Sequence, residues 1–174
     1  MIKVCFVCLG NICRSPMAEF VFKNMVEKAN LGDQISVFSR GTSNEEIGNP
    51  IHSGTIQELE NHHIPYTPRY AIQLKKENYD DFDYFISVDS LNSQLMRNLF
   101  IHDKDLKIHR LLDFTTLKKD IADPWYTGNF TNTYKEVELG CQALLDYLIK
   151  KHSDRKSTRL NSSHTMQSRM PSSA

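Results

Sequence analysis

A cysteine and an arginine near the start of the chain are spaced so that one loop could hold both against a single anion. Cys8 and Arg14 are separated by five residues, and Ser15-Pro16 predicts an N-cap and first turn of a helix. Backbone N–H groups and the helix dipole would face a tetrahedral oxyanion, and the Arg14 guanidinium can bind two of its oxygens. The same field would stabilise the Cys8 thiolate. The spacing therefore predicts a cysteine nucleophile that attacks a bound phosphate or similar oxyanion.

The surroundings of Cys8 favour this interpretation over a merely structural one. Residues 4–9 form a continuous apolar run, which predicts a strand buried on both faces of a parallel sheet. The alternative is a small buried cysteine beside a surface arginine. The residues expected to form the anion-binding loop with Cys8 and Arg14 are Leu9, Gly10, Asn11, Ile12, Cys13 and Ser15.

Predicted strands and helices alternate along the rest of the chain. Further strands are predicted at residues 35–38, 84–88 and 107–112, and helices at residues 15–29, 53–61, 91–100 and 133–151. This order predicts a single-domain α/β fold: a parallel four-stranded sheet flanked by helices on both faces, with the phosphate-binding loop after the first strand. Ligands of such sheets bind beyond the carboxyl ends of the strands, where the Cys8 loop would lie.

The composition is that of a globular protein and excludes several classes of partner. Hydrophobic residues make up 40% and charged residues 24%, and 21 basic residues balance 21 acidic ones. Such a balance creates no field that attracts nucleic acid or an anionic membrane. No apolar stretch has the length of a membrane span or a secretory segment, so we expect four reduced cysteines and a cytoplasmic monomer.

The apolar periodicity stops near His152. This predicts one folded domain over residues 1–152 and a disordered tail over residues 153–174, which contains seven serines. From Ser157 onward the tail looks like the translation of a sequencing adapter or vector read-through. A genuine disordered basic tail is the alternative interpretation.

Residues 7–19, Val-Cys-Leu-Gly-Asn-Ile-Cys-Arg-Ser-Pro-Met-Ala-Glu, resemble the signature of bacterial low-molecular-weight protein tyrosine phosphatases. A second match is Asp-Pro-Trp-Tyr at residues 123–126, similar to the family's loop that carries a general acid. The resemblance covers about residues 1–150. It implies metal-independent hydrolysis of phosphotyrosine proteins or aryl phosphates, without any cofactor, through a phosphocysteine intermediate.

The resemblance also implies a division of labour among these residues. Cys8 would attack phosphorus, Arg14 would bind the phosphate oxygens, and Asp123 would protonate the departing phenol and later activate water. Asn11 would brace the loop, and Ser15 would donate a hydrogen bond to the Cys8 sulfur in addition to capping the helix.

Two further segments and a second cysteine match the family. Ser-Arg-Gly-Thr at residues 39–42 is similar to a loop whose serine, here Ser39, supports the nucleophile loop, and Asp-Ser-Leu-Asn at residues 89–92 is a secondary match. Cys13 resembles the family's second cysteine, which implies a redox partner that forms a reversible disulfide with Cys8. A buried packing role for Cys13 is the alternative.

Three residues depart from the family's pattern around the substrate cleft. Arg40 stands where alanine is usual, Arg69 where a loop-bracing histidine is common, and Glu45 where many members have an aromatic wall. We expect Glu45 at the rim, where it repels a phosphate dianion that Arg40 partly attracts. Trp125 and Tyr126 would still flank a phosphotyrosine ring.

Other functions on the same or a similar loop are less well supported. Arsenate reductases of this fold use two further cysteines, but no cysteine lies between Cys13 and Cys141. Protein arginine phosphatases carry threonine where Ile12 stands. A noncatalytic phosphate- or phosphopeptide-binding module would not need all three catalytic candidates. A zinc site on Cys5 and Cys8 is disfavoured, because strand residues three apart point to opposite faces.

Overall fold

Four parallel strands form the sheet that carries the loop. The structure, a computed structural model, describes residues 1–162. The strands are β1 (Ile2–Cys8), β2 (Ile35–Gly41), β3 (Tyr84–Ser87) and β4 (Ile108–Arg110), and their spatial order is β2-β1-β3-β4. Every neighbouring pair is parallel. The predicted parallel α/β fold is confirmed.

Helices cover both faces of this sheet. They are α1 (Arg14–Lys28), α2 (Ser53–Asn61), α3 (Ser90–Leu99), α4 (Pro124–Thr127) and α5 (Phe130–Ser162), with short 3-10 helices at Lys76–Asp81 and Leu111–Phe114. Among residues 1–162, no helix combines the length and the apolar character needed to cross a bilayer.

The central strand β1 explains why its sequence is apolar without interruption. Phe6 and Cys8 face the core formed with α1, α2 and α5, whereas Cys5 and Val7 face the core formed with α3. Both faces are covered, so neither set of positions tolerates polar side chains. Cys5 and Cys8 therefore cannot bind one metal ion, and the described part of the chain contains no cluster of metal-binding side chains.

Two predicted element boundaries differ from the structure for packing reasons. The predicted strand at residues 107–112 is shorter, because Leu111 and Leu112 belong to a 3-10 helix and their own side chains are fully buried. The first helix begins at Arg14, so Ser15 lies inside it and is not the N-cap that the sequence predicted.

The last helix is longer than its apolar pattern. The residues predicted to face the core are all buried: Val137, Cys141, Leu144, Leu145 and Leu148. However, α5 starts three residues before the predicted Thr133 and continues to Ser162. Residues 153–162 of the predicted disordered tail are thus helical, and residues 163–174 lie outside the described residues.

Candidate active site

The loop between β1 and α1 turns sharply and lies against β2. Asn11 has a φ of 58°, in the left-handed region that asparagine adopts more readily than most residues. A Cβ added to Gly41 of β2 would lie 2.9 Å from the carbonyl oxygen of Leu9 and 3.1 Å from the Cβ of Asn11. Only glycine allows this close approach, so Gly41 helps to set the position of the loop.

The loop lines a small cavity of about 80 Å³ at the carboxyl end of the sheet. Its walls are Cys8, Leu9, Gly10, Ile12, Cys13 and Arg14 from the loop, and Ser43, Glu45, Glu46, Asp123, Trp125 and Tyr126 from the segments around it. A larger cavity of about 430 Å³ opens between α3 and β4, but no cysteine lines it. The smaller cavity is the candidate active site because it contains a nucleophile opposite a carboxylate.

Cys8 lines this cavity and is only 3% exposed. Its sulfur accepts a hydrogen bond from the Asn11 backbone N–H at 3.2 Å and lies 2.9 Å from the Ser15 hydroxyl. The Ser15 oxygen already accepts from Asn11 Nδ2 at 2.8 Å. Its own hydrogen is therefore available to donate to the Cys8 sulfur.

The orientation of the Asn11 amide follows from its partners. Its Oδ1 accepts from Arg69 Nη2 at 2.9 Å and from the Ile72 backbone N–H at 3.0 Å. Both partners can only donate, so this atom must be the oxygen. The Nδ2 group then donates to Ser15 and, at 3.0 Å, to the Ser39 hydroxyl. A directed chain of hydrogen bonds therefore runs from Arg69 through Asn11 and Ser15 to Cys8.

An ion pair holds Arg69 in this position. Arg69 Nη1 lies 2.6 Å from Glu19 Oε1, which also accepts from the Ser39 hydroxyl at 2.5 Å. Arg69 Nη1 contacts the Ser39 hydroxyl as well. These groups form the floor of the site, which we define as Asn11, Ser15, Glu19, Ser39 and Arg69. Ser15 and Ser39 are almost completely buried, whereas Glu19 and Arg69 are partly buried, so the hydrogen bonds of the two serines are shielded from solvent.

Arg14 is buried between two carboxylates. Its Nη1 donates to Asp89 Oδ2 at 2.7 Å and to the Ile121 carbonyl at 2.8 Å, and its Nη2 lies 3.4 Å from Asp123 Oδ2. Burial alone would lower the pKa of Arg14, but Cys8, Asp89 and Asp123 outweigh it and raise the pKa. The guanidinium therefore stays charged beside the Cys8 sulfur.

Asp123 is held at the start of the short helix α4. Its Oδ1 caps this helix by accepting from the Trp125 backbone N–H at 3.0 Å, while Oδ2 faces Arg14. Pro124 at the first helical position and Gly128, with a φ of 71°, confine α4 to one turn. One carboxylate oxygen is thus fixed by the backbone and the other faces the cavity.

A second cysteine, Cys13, also lines the cavity. Cys13 is 5% exposed and lies at the start of α1. Burial, followed by the nearby Cys8 and Asp123, raises the pKa of Cys13 to about 12. It is therefore a neutral thiol at physiological pH, and the described cysteines are all unpaired.

The rim of the cavity carries acidic and aromatic side chains. Glu45 is exposed, whereas the stem of Glu46 covers Gly10, since a Cβ added there would lie 3.0 Å from Glu46 Cγ. Asn49 Nδ2 holds the Glu46 carboxylate at 2.8 Å. Trp125 is 56% exposed, and its ring centroid lies 5.6 Å from that of His52.

Arg40 does not join this rim, contrary to the sequence-based expectation. Side chains alternate along β2, so Arg40 lies on the same face of the sheet as Phe38, away from the cavity. Its guanidinium lies 5.4 Å from the ring centroid of Phe82 and donates to the Ser39 carbonyl. It therefore cannot offset the charge of Glu45 by direct contact.

Comparison with known proteins decides the family. Residues 3–155 match the model of the family described as low molecular weight phosphotyrosine protein phosphatase. The chain belongs to this phosphatase family. It is 40% identical to the low molecular weight protein-tyrosine-phosphatase YfkJ of Bacillus subtilis over 152 residues, covering 86% of this chain and 97% of that protein. It is also 40% identical to the low molecular weight protein-tyrosine-phosphatase PtpA of Staphylococcus aureus strain Newman over 151 residues, covering 86% of this chain and 96% of that protein.

Solved structures of phosphatases have the same fold. The crystal structure of YfkJ from Bacillus subtilis superposes with a TM-score of 0.84, covering 87% of this chain and 96% of that one at 40% identity. SP-PTP, the low molecular weight protein tyrosine phosphatase from Streptococcus pyogenes, gives a TM-score of 0.76 at 44% identity, with coverage of 85% and 93%.

Sequence reasoning missed part of the phosphatase site. Glu19 was only the last residue of the recognised segment, and Arg69 was noted as a departure without a role in this chain. Both join the floor through contacts between distant segments. Glu46, which also lines the cavity, was not predicted. Its position next to the predicted rim residue Glu45 was the available signal. Asp89 is the residue of the Asp-Ser-Leu-Asn match that holds Arg14.

Proposed function

We propose that the protein hydrolyses phosphotyrosine in proteins, and aryl phosphates in general, through a phosphocysteine intermediate on Cys8. The observation that carries this proposal is that Cys8, Arg14 and Asp123 line one cavity. A nucleophile, a cation for the phosphate and a carboxyl group for the leaving oxygen are the three parts that such a displacement needs.

The first step transfers the phosphoryl group to sulfur. The Cys8 thiolate attacks phosphorus, the phosphorus–oxygen bond of the phenol breaks, and the Asp123 carboxyl group donates its proton to the departing oxygen. In the second step Asp123 removes a proton from water, the water oxygen attacks phosphorus, and the thiolate leaves. The Ser15 hydroxyl, 2.9 Å from the sulfur, stabilises that thiolate in both steps.

Arg14 and the loop bind the transferred group. Both hydrogens of Nη1 are engaged by Asp89 and Ile121. We therefore assign Nη2 and Nε of Arg14 to the phosphate oxygens, together with the backbone N–H groups of the loop. Charge that develops on these oxygens in the transition state meets donors that are already oriented, which lowers the barrier.

The depth of the cavity favours an aromatic substrate. Cys8 is buried, whereas Trp125 and Tyr126 on the same cavity are exposed, which favours a phosphate carried on a long, flat stem. Phosphotyrosine has such a stem, whereas phosphoserine and phosphothreonine are shorter. The neutral balance of charge further supports protein substrates rather than nucleic acid or a membrane surface, and we expect a cytoplasmic monomer.

Hydrolysis of p-nitrophenyl phosphate in excess EDTA tests this proposal. We expect full activity in EDTA, loss of activity in Cys8→Ser, and faster hydrolysis of phosphotyrosine peptides than of phosphoserine peptides. Activity lost in EDTA would instead indicate a metal-dependent reaction. Phosphate binding without turnover would indicate a binding module, and a preference for arsenate or phosphoarginine would move the chain to the corresponding alternative.

A further inference from the structure

The segment that leads to Asp123 has no regular secondary structure, so contacts with the sheet must set its position. Ile121 provides one contact: its N–H donates to the Val88 carbonyl at 3.0 Å, and its carbonyl accepts from Arg14 at 2.8 Å. Asp120, the preceding residue, provides a second contact, with Ser90 of α3 and Arg110 of β4. The acid loop, defined as residues 120–126, is therefore anchored at its beginning.

Asp120 is held by three donors that converge on one oxygen. Its Oδ1 accepts from the Ser90 backbone N–H at 2.8 Å, the Ser90 hydroxyl at 2.9 Å and Arg110 Nη1 at 2.9 Å. Burial alone would raise the pKa of Asp120, but these hydrogen bonds from Ser90 and Arg110 lower it. Asp120 is therefore an anion at neutral pH, and its contacts are charge-assisted.

The start of α3 connects this contact to the phosphate-binding arginine. Ser90 is the first residue of α3, where backbone N–H groups have no partner within the helix and a carboxylate is favoured by the helix dipole. Asp89 caps the same helix by accepting from the Asn92 N–H at 2.9 Å, and its other oxygen binds Arg14. Two adjacent residues of one helix start thus hold Arg14 and the acid loop.

We propose that Asp120, through Ser90 and Arg110, is a positioning residue that fixes Asp123 relative to Arg14 for protonation of the leaving group. This inference rests on the proposed function. Without the Asp120 contact, the acid loop keeps its Ile121 contact but loses its second anchor. Proton donation by Asp123 then becomes less efficient, while the Cys8 loop retains its own hydrogen bonds and still binds phosphate.

The test compares Asp120→Ala with a matched control, Asp113→Asn. Asp113 also forms an ion pair with Arg110, with 2.8 Å between Asp113 Oδ1 and Arg110 Nη2. The side chains of Asp113 and Asp120 are similarly exposed, at 47% and 49%. For Asp120→Ala we expect kcat/KM to fall about three- to tenfold with phenyl phosphate and to change little with p-nitrophenyl phosphate, whose leaving group needs less protonation. Inhibition by inorganic phosphate should be unchanged. Asp113→Asn should behave like the parent with both substrates.

A double variant separates positioning from a general structural effect. In an Asp123→Asn background, Asp120→Ala should cause no further loss, because the proton donor is already absent. A loss equal for both leaving groups, or a further loss in this background, would overturn the inference. Exposed ion pairs contribute little to stability, so the melting temperature should hardly change. If the parent hydrolyses no aryl phosphate, the proposed function itself is wrong. That result differs from an active parent in which Asp120→Ala has no selective effect, which would overturn the positioning role alone.

Discussion

The floor and the rim of the active site are built on opposite principles. In the floor, each polar side chain is oriented by donors and acceptors from several segments, and the two serines are almost completely buried. On the rim, Trp125, Tyr126 and Glu45 are exposed to solvent. The chemistry therefore depends on a network of mutually oriented hydrogen bonds, while substrate recognition depends on exposed side chains.

Substitutions in the floor should therefore cost more than substitutions on the rim. A floor residue that loses its partner leaves another buried polar group unsatisfied, which costs about 1–3 kcal/mol or more for charged groups. A rim residue exchanges its contacts for water and is screened by salt. Effects on turnover should therefore decrease from the reacting groups, through the floor, to the rim.

Asp123→Ala, which removes a reacting group, should have the largest effect on turnover. Loss of the general acid should lower turnover of phosphotyrosine peptides by about two to four orders of magnitude, because the phenol must then leave as an unprotonated anion. The loss should shrink for activated aryl phosphates in a series of leaving groups. Unchanged activity on phosphotyrosine peptides would show that another group donates the proton.

Removal of the Arg69 brace should have the next largest effect. Arg69→Met should lower kcat/KM about ten- to a hundredfold, since a charged hydrogen bond contributes about 1.5–3 kcal/mol and the Asn11 amide would lose its fixed orientation. Arg40→Met, on β2, is the matched control, and its kcat/KM should stay close to that of the parent. Arg69→His, which restores a donor, should recover part of the activity. If Arg69→Met is as active as Arg40→Met, the floor does not depend on this cation.

These floor residues also show what the sequence could and could not predict. Cys8, Asn11, Arg14 and Ser15 follow one another in a single segment, so their spacing identified the loop without knowledge of the fold. Arg69 lies in an irregular segment, and its contact with Asn11 arises only when this segment packs against the nucleophile loop. Periodicity carries no information on such contacts.

The predicted boundaries of helices and strands were wrong where a contact with a distant part of the chain sets the boundary. Ser15-Pro16 indicated a helix start, but the Ser15 hydroxyl is used by Cys8 and Asn11, and the helix begins one residue earlier. The strands of the sheet and the buried face of α5 were predictable because apolar runs and apolar periodicity report burial directly. The continuation of α5 to Ser162 has no apolar pattern and could not be read in this way.

Cys13→Ser should change recovery from oxidation rather than turnover. Peroxide converts the Cys8 thiolate to a sulfenic acid, and the Cys13 thiolate can displace hydroxide from it to form a disulfide. After dithiothreitol, the parent should therefore recover more activity than Cys13→Ser. Because the pKa of Cys13 is raised to about 12, its thiolate fraction increases as pH rises toward that value, and the recoverable fraction should increase with it. Equal recovery of both proteins would remove the protective role.

The smallest effect is expected on the rim, at Glu45. Glu45→Gln should lower KM for phosphotyrosine peptides about fivefold or less at low salt, because an exposed carboxylate repels the phosphate weakly. Glu45→Trp should lower KM further by adding a ring to stack on the substrate. Both differences should show mainly in KM and the charge effect should fade at high salt. Identical KM values for all three enzymes at low and high ionic strength would exclude Glu45 from substrate binding.

Trapping the covalent intermediate tests whether Cys8 is the nucleophile. Asp123→Ala, mixed with p-nitrophenyl phosphate and quenched rapidly, should carry one phosphoryl group, because the same carboxylate is needed to activate water in the second step. Mass spectrometry in a Cys13→Ser background assigns the group to one cysteine of the loop. We predict phosphorylation of Cys8, and none after Cys8→Ser. Turnover with the phosphoryl group on any other residue, or with none on the protein, would show that Cys8 is not the nucleophile.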